Sequence, residues 1–449
     1  MTGFFKTNKK AIEAPIRQTG CASCGLASGL LHPKMEPTGE GQRKILVVGE
    51  SSAPAGKYTD KLIKALRSMK IDLDQDCRKT DAVRCRPTDE DGGSRKPLPA
   101  EIDACRYNVF DEISRFQPNV ILLLGESAVR SLLGHRWTHN SDLTIGRWRG
   151  LAIPDHELGA WVCPTFHPSY IEREEKDTPA VDVIWKRDLA RSFALADEPL
   201  PPRTDPELIF LDGRGITKVL LDLWRKGKAR EIVERSVPYA GLMPGTTEWI
   251  RCWKSHPALQ EAMLEYQKSG MLPSKLAPGN PLTLAVDYET TGLKPYHPDH
   301  RIVSCSLADS PDRAWAWMWA DMDSEAVATY RALMELWQVR KIAANMKFEQ
   351  VWTRKKLGHK INGWWWDTMI AAHVLDNRRG NASVAFQSYV KLGVLGFKDD
   401  TQALLKAPDS NAFNQIDRIP RASLLERNAK DSAYEFGICL AQREEYGYE

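Results

Sequence analysis

The stretch Leu282-Thr283-Leu284-Ala285-Val286-Asp287-Tyr288-Glu289-Thr290-Thr291-Gly292-Leu293 decides how the last third of this chain is read. Its first half is apolar and β-prone, and it ends in two carboxylates just ahead of a glycine turn. Side chains at i and i+2 of a strand share one face, so Asp287 and Glu289 stand side by side where the strand leaves its sheet. Two carboxylates so placed repel each other and hold on to protons unless a cation lies between them. A divalent metal is the natural partner, and phosphate chemistry its natural use. By itself an Asp-x-Glu pair is equally compatible with an ordinary acidic strand end, so the surrounding chain has to decide.

Downstream, 301–307 and 314–318 read as two more strands of an antiparallel meander, followed by a helix over 324–337. The stretch 341–349 reads as a short strand feeding a helix, 364–369 as the opening of another helix, and 424–445 as a long helix. In that order, Asp287-Tyr288-Glu289-Thr290-Thr291-Gly292-Leu293, Asn345-Met346-Lys347-Phe348-Glu349 and Asn428-Ala429-Lys430-Asp431 resemble the three motifs of the DEDD 3′–5′ exonucleases, in particular the proofreading domain of family A DNA polymerases. The resemblance implies an RNase H-like domain over 281–449. It implies catalytic carboxylates Asp287, Glu289, Glu349 and Asp431 around two Mg²⁺ or Mn²⁺ ions, which suit hard oxygen ligands. Such a pair would activate the attacking water and stabilise the leaving 3′ oxygen. It also implies that Thr290, Leu293 and Asn345 hold the terminal nucleotide.

Two positions depart from the pattern. Glu349 stands where an Asp is usual, keeping the charge and adding a methylene. Arg427 and Glu426 occupy the places of the Tyr or His that orients the attacking water, and arginine cannot act as a base. Asp367 matches a position that supports the cage in the family, and it also suits a helix N-cap. The run 340–360 holds Arg340, Lys341, Lys347, Arg354, Lys355, Lys356 and Lys360 against one acid, Glu349. It reads as a solvated face or as a track for a phosphate backbone. Trp352 and Trp364 to Trp366 read as core, or as platforms for unpaired bases.

The first third alternates strands and helices. Strands are expected at 44–50, 81–84, 120–125 and 161–165, with helices at 59–69, from near Pro99 through Cys105, and at 126–133 between them, which argues a parallel sheet covered on both faces. Ligands then bind beyond the carboxyl ends of the strands, where Gly49-Glu50, Asp81, Gly125 and His167 fall. Cys21-Ala22-Ser23-Cys24, Val47-Val48-Gly49-Glu50-Ser51, Val83-Arg84-Cys85-Arg86-Pro87, Cys105, the segment 121–134 and His167-Pro168-Ser169-Tyr170 together resemble the iron–sulfur (family 4) uracil-DNA glycosylases over 15–195. That resemblance implies a [4Fe-4S] cluster on Cys21, Cys24, Cys85 and Cys105, with Cys77 and Cys163 left out. Spacing alone would leave zinc as an alternative. His167 matches the residue that stabilises charge on a departing base. The loop 51–56 and its follower Tyr58 depart from the family's acidic, Phe-bearing loop, and Asp81 replaces an Asn whose amide would hydrogen-bond a uracil edge.

Between these regions, 196–206 is Pro-rich and reads as a linker. From there to Pro281 the pattern is mostly helical, over 216–224 and 246–272, and 196–280 is expected to be a linker and helical connector with no catalytic motif. The 449 residues, 42% hydrophobic and 27% charged with a net charge of +3, describe a globular chain of two to three domains. The first twenty residues carry no secretory signal, and no apolar run is long enough to span a membrane. Nine unevenly spread cysteines fit a reducing cytoplasm better than a disulfide framework. A glycosylase-like module ahead of an exonuclease resembles the N-terminal part of certain bacteriophage family A DNA polymerases. The expectation is an α/β protein acting on the single-stranded 3′ end of DNA as a proofreading exonuclease, in the host cytoplasm, with the polymerase on a separate chain. A DNA-binding scaffold that docks a polymerase, or an active uracil-excising enzyme with an attached nuclease, are the other readings.

Overall fold

A computed structural model describes residues 21, 24–28, 34–51, 57–137, 142–203, 205–236, 281–395 and 401–448, with backbone only at 27–28, 57–59 and 229–236. Residues 1–20, the loop 52–56, the side chain of Tyr58, Cys252 and the helix expected over 246–272 lie outside the described residues. The chain divides into two compact units, one comprising Met1–Arg203 and Ala385–Lys398, the other Thr204–Val384 and Asp399–Glu449.

The first unit is a five-stranded sheet, β1 (Ile45–Ser51), β2 (Cys77–Val83), β3 (Val120–Leu124), β4 (Ile153–Asp155) and β5 (Ala160–Thr165), in the order β2-β1-β3-β5-β4. The first four in that order are mutually parallel. The short edge strand β4, absent from the sequence reading, pairs antiparallel with β5. Helices α1 (Lys57–Ser68), α2 (Pro99–Phe116), α3 (Gly125–Arg136), α4 (Ile145–Trp148), α5 (Pro168–Glu174) and α6 (Ala180–Ala194) cover it. Burial on both faces explains the unbroken apolar runs. Ile45 and Val47 face one core while Leu46 and Val48 face another.

A segment from far downstream completes the second of these cores. In the helix Val384–Leu392, Phe386, Tyr389 and Val390 share one face and bury against Trp137 and Trp148. Trp137 stacks on Tyr389 at 5.8 Å between ring centroids. The Tyr389 hydroxyl donates to Asp155 Oδ2 at 3.2 Å, and Arg136 holds both oxygens of that buried carboxylate at 2.9 and 2.6 Å. At Gly393 (φ +68°) a Cβ would lie 1.8 Å from the Pro154 carbonyl oxygen, so only glycine lets the backbones meet. The continuous 281–449 domain expected from sequence is therefore interrupted. An amphipathic helix has no address in its own sequence, and the aromatic surface it fills belongs to residues more than 200 positions earlier.

The second unit is a six-stranded mixed sheet: β6 (Glu207–Leu211), β7 (Thr283–Thr290), β8 (Ile302–Ser310), β9 (Arg313–Met318), β10 (Arg340–Ala343) and β11 (Trp364–Asp367), in the order β11-β10-β7-β8-β9-β6. The meander β7-β8-β9 is antiparallel, as expected, and β10 and β11 add in parallel beyond β7. With helices α7 (Gly213–Ser236), α8 (Ser324–Glu335), α9 (Met346–Trp352), α10 (Thr368–Leu375) and α11 (Arg421–Glu445), this is an RNase H-like α/β unit. Two expectations change. Residues 364–367 form a strand before the helix rather than its first turn, consistent with the β preference of three successive tryptophans. Residues 207–211 are an edge strand parallel to β9, so part of the expected connector belongs to this sheet.

The two faces of β7 differ. Leu284, Val286 and Tyr288 point into a large-residue core with Ile216, Leu220, Tyr330 and Trp352. On the other face Ala285, Ala308, Ala314 and Ala316 meet Ala429 and Ala433 of α11. Small residues on both sides let the helix lie close to the sheet, which brings its polar positions within reach of Asp287 and Glu289.

Candidate functional site

Asp287 and Glu289 project from the end of β7 toward α11, and a register shift between β7 and β8 falls between Glu289 and Thr290. One carboxylate oxygen each from Asp287, Glu289 and Asp431 lie within 4.8 Å of one another. The two serines paired with these strand residues, Ser306 opposite Asp287 and Ser304 opposite Glu289, are fully buried. Ser304 Oγ donates to Asn428 Oδ1 at 2.9 Å and Ser306 Oγ to the Asn428 carbonyl at 2.7 Å. Asn428 Nδ2 in turn donates to Asp287 Oδ2 at 2.5 Å. The strand pair thus orients an amide on the helix, and the amide orients the carboxylate.

Arg427 lies one turn before Asp431. Its Nε donates to Glu289 Oε1 at 3.1 Å and stands 3.8 Å from Asp431 Oδ2. Burial, with the negative charges of Asp431 and Glu289 beside it, raises the Asp287 pKa well above the usual carboxylate range, against the pull of Arg427 and Asn428. Glu426, the other candidate helper, is bonded to Lys430 at the surface.

Glu349 is 3% exposed on α9, outside the three-oxygen cluster, and its Oε2 has no hydrogen-bond partner. Burial and the Asp287 charge raise its pKa strongly. The turn before it is pinned by Asp367, which accepts the N–H groups of Asn345 at 3.1 Å and Met346 at 3.0 Å as well as those of Met369 and Ile370. Asp367 is thus the N-cap of α10 and the clamp on Asn345, whose left-handed backbone (φ 66°) starts α9. Thr290 turns its hydroxyl onto the Gly292 carbonyl at 2.8 Å, closing the turn, and Leu293 just beyond is 58% exposed.

Two residues of this site escaped the sequence reading. Asn428 entered it only as a letter of a motif. Glu435, one turn beyond Asp431, did not enter it at all. It is 2% exposed, and its pKa is raised by burial and by the charges of Asp287, Glu349 and Asp431. Positions 428, 431 and 435 share a helix face, so a helical projection of 424–445 would have found both.

The basic run does not act as one surface. Lys347, Arg354, Lys355 and Lys360 are exposed, but Lys341 is fully buried on β10 with its ammonium on the Leu336 carbonyl, and burial pushes its pKa down to about 7. Lys356 is spent on the carbonyls of His297 and Pro298. Trp352 is core, and Trp365 lies between the guanidinium groups of Arg340 and Arg443, 4.4 and 4.2 Å from its ring centroid.

In the first unit Glu50, Asp81, Gly125 and His167 gather at the carboxyl ends of the parallel strands. At Gly49 a Cβ would meet Asp81 Oδ1 at 2.3 Å, and at Gly125 (φ +85°) the His167 Cβ at 2.9 Å, so both glycines admit a neighbouring polar residue. His167 caps α5. Its Nδ1 accepts the Ser169 N–H at 3.2 Å, which leaves the proton of the neutral ring on Nε2. Burial lowers its pKa, partly opposed by Glu50, whose carboxylate accepts from Ser127 at 2.8 Å.

Cys21, Cys24, Cys85 and Cys105 are near enough to sense one another, because burial and then Cys105, Cys21 and Cys24 raise the Cys85 pKa. Cys105 Sγ receives the Arg84 N–H at 3.4 Å and Asn108 Nδ2 at 3.3 Å. Burial raises the Cys105 pKa, and these two donors partly oppose it. Among the described residues, no three cysteines bring their sulfurs within 4.8 Å of one another.

Residues 38–189 match the uracil DNA glycosylase superfamily and residues 255–407 match the 3′-5′ exonuclease domain of DNA polymerase A type. Each match covers about a third of the chain. Asp431 lies beyond the matched part of the exonuclease domain. A type-4 uracil-DNA glycosylase from Thermotoga maritima is 32% identical over 111 residues, 25% of this chain and 53% of that protein. The chain thus spans about half the length of the relative it matches. Among solved structures, Brucella melitensis NrnC is similar at 17% identity, over 37% of this chain and 75% of that one, with a TM-score of 0.29. The catalytic core of RRP6 from Trypanosoma brucei is similar at 13% identity, over 54% of this chain and 50% of that one, with a TM-score of 0.33. No helix among the described residues is long and apolar enough to cross a membrane.

Proposed function

We propose that this chain is a metal-dependent 3′–5′ exodeoxyribonuclease that proofreads in a phage-type DNA replication machinery in the host cytoplasm, with a DNA polymerase as its partner. The observation that carries this reading is the convergence of Asp287, Glu289 and Asp431 within 4.8 Å in a domain of the exonuclease type. The donor set fits Mg²⁺ or Mn²⁺, being all hard oxygen, and the orphaned Oε2 of buried Glu349 is a further unsatisfied ligand atom. Two such ions, held by Asp287, Glu289, Glu349 and Asp431, would supply the acidity that turns water into a nucleophile and the charge that stabilises the leaving 3′ oxygen.

The protein's own groups do the positioning. Asn428 fixes the Asp287 carboxylate. Leu293, apolar and exposed beside the turn, is placed to pack on the terminal base, with Thr290 shaping the turn and Asn345 facing the same nucleotide. Arg427 is a phosphate ligand in waiting, since its guanidinium matches phosphate oxygens as well as carboxylate ones. It cannot take a proton from the attacking water. The reaction therefore lacks a side-chain base, a contribution of about 10²–10⁴-fold where one is present, and turnover is slow.

The glycosylase-type domain contributes DNA contact, stapled by a [4Fe-4S] cluster on Cys21, Cys24, Cys85 and Cys105. Asp81, pressed against Gly49, offers a carboxylate where an amide would be needed to read a uracil edge. One assay separates the functions. A 5′-labelled single strand containing one uracil is incubated with Mg²⁺ or with EDTA. A ladder of shortened products in Mg²⁺, abolished by Asp287→Ala, is expected. An untouched strand overturns the nuclease reading, and an alkali-labile break at the uracil in EDTA overturns the assignment of the first domain to binding alone. A colourless protein containing zinc would remove the cluster.

A further inference from the structure

Glu435 has a buried carboxylate that is only half satisfied: the backbone N–H of Ala344 bonds to it, and its second oxygen is left over. It projects from α11 one turn beyond Asp431, is 98% buried by its 2% exposure, and its Oε2 has no hydrogen-bond partner. Its strongest electrostatic neighbours are Asp287, Glu349 and Asp431, so it faces into the carboxylate cluster from the helix side. Glu349 shows the same combination from α9: it is 3% exposed, its Oε2 is unpartnered, and Asp287 is the charge that acts on it most strongly. Neither glutamate is among the residues whose oxygens converge within 4.8 Å, so each side chain has to turn toward Asp287 to share a cation with it.

A buried carboxylate oxygen left without a partner is costly as a polar group and more so as part of a charge. The α11 residues that pack on the sheet are otherwise apolar, namely Leu425, Ala429, Ala433, Phe436 and Cys439, so that packing does not call for a glutamate. We propose that Glu435 is a fifth carboxylate of the metal centre, binding a divalent cation together with Asp287 and Glu349 on the buried side of the Asp287–Glu289–Asp431 group. Asp287 is then shared between an outer position that substrate reaches and an inner one enclosed by α9 and α11. The inference rests on the metal-dependent reading above, and it adds an anionic ligand to the ion most remote from solvent. That ion remains bound between turnovers, while the outer one exchanges with the medium.

Mn²⁺ binding to the full chain, followed by loss of the free-ion EPR signal and by calorimetry, tests this without any turnover. Wild type is expected to bind Mn²⁺ in a tight and a weaker step. Glu435→Gln, which keeps the shape and removes the charge, should weaken the tight step by about 10–100-fold, the range for losing a supporting group at a metal site. Glu435→Asp should recover part of that loss, which a merely space-filling role would not do. A Glu435→Gln protein that melts normally and binds Mn²⁺ as wild type does overturns the assignment of Glu435. Should Glu435→Gln fail to fold, Glu435→Asp binding with unchanged affinity at both steps overturns it equally. Wild type that binds no Mn²⁺, or Asp287→Asn that binds it undiminished, instead overturns the metal reading itself.

Discussion

Replacing Asp287 by Asn should make the metal-free protein more stable while destroying its function. The carboxylate oxygens of Asp287, Glu289 and Asp431 lie within 4.8 Å of one another. At that distance, with an effective dielectric constant near 20, each pair of unit charges repels by about 3–4 kcal/mol. Asp287 takes part in two such repulsions, and the attraction of Arg427 offsets roughly one of them. Asparagine is nearly isosteric and can still accept the amide of Asn428 through its Oδ1. The net gain is then about 3 kcal/mol, or some 6–12 °C in the melting of a unit this size. The assay is differential scanning calorimetry at pH 8 in EDTA, where the transition of the second unit should move up and that of the first should not. Adding Mn²⁺ should raise the wild-type transition and leave Asp287→Asn unmoved. The folded-state pKa of Asp287 is raised, so wild type loses stability as pH climbs from the unfolded carboxylate range through that folded value. The advantage of the variant must therefore shrink toward pH 5. An Asp287→Asn protein that melts at or below wild type in EDTA at pH 8 would refute the argument.

Three further outcomes follow from the same geometry. Arg427→Tyr should free Glu289 from its 3.1 Å partner and place a phenol beside the attacking water, raising kcat by at least about 10-fold in single-turnover assays. Lys341→Met should stabilise the protein at pH 7 by a few kcal/mol. The buried ammonium gives up its proton near 7 in the folded state and near 10.5 when unfolded, so wild-type stability rises with pH across that window and the variant's stability should stay flat in chemical denaturation. Phe386→Ala should cost about 3–5 kcal/mol, seen as a lower melting temperature of the first unit with Mn²⁺ binding unchanged, because the ring fills the core around Trp137 and Trp148.

Much of the second unit could be read directly. Alternation across 283–290 gave β7 and put Asp287 and Glu289 on one face, because the period of a strand is local geometry and needs no partner to define it. The three strands of the meander and the long C-terminal helix followed from the same kind of periodicity. The parallel sheet of the first unit was legible for a related reason: strands buried on both faces must be continuously apolar, and 45–48 and 120–124 are. Residues whose role depends on a partner were misread or missed. Trp364 to Trp366 form a strand only because β10 offers its edge. Lys341 resembles any surface lysine until the sheet closes over it. Glu207–Leu211 reads as part of a connector until β9 is there to pair with it.

The sequence by itself determined which residues could ligate a metal and in what order the strands and helices occur, since both are properties of residue type and local spacing. Only the tertiary structure decided how close those carboxylates come. The alanines on both sides of the β7–α11 contact set the approach of the helix, and with it the meeting of Asp431 with Asp287 and Glu289. The same approach buries Glu435 and leaves one of its oxygens unpaired, and it gives Arg427 the place where a water-orienting residue was expected. The packing of 385–398 into the first unit was likewise decided by an aromatic surface formed far away in the chain. Local spacing names the candidates, whereas long-range packing fixes the distances on which charge repulsion, metal affinity and reactivity depend.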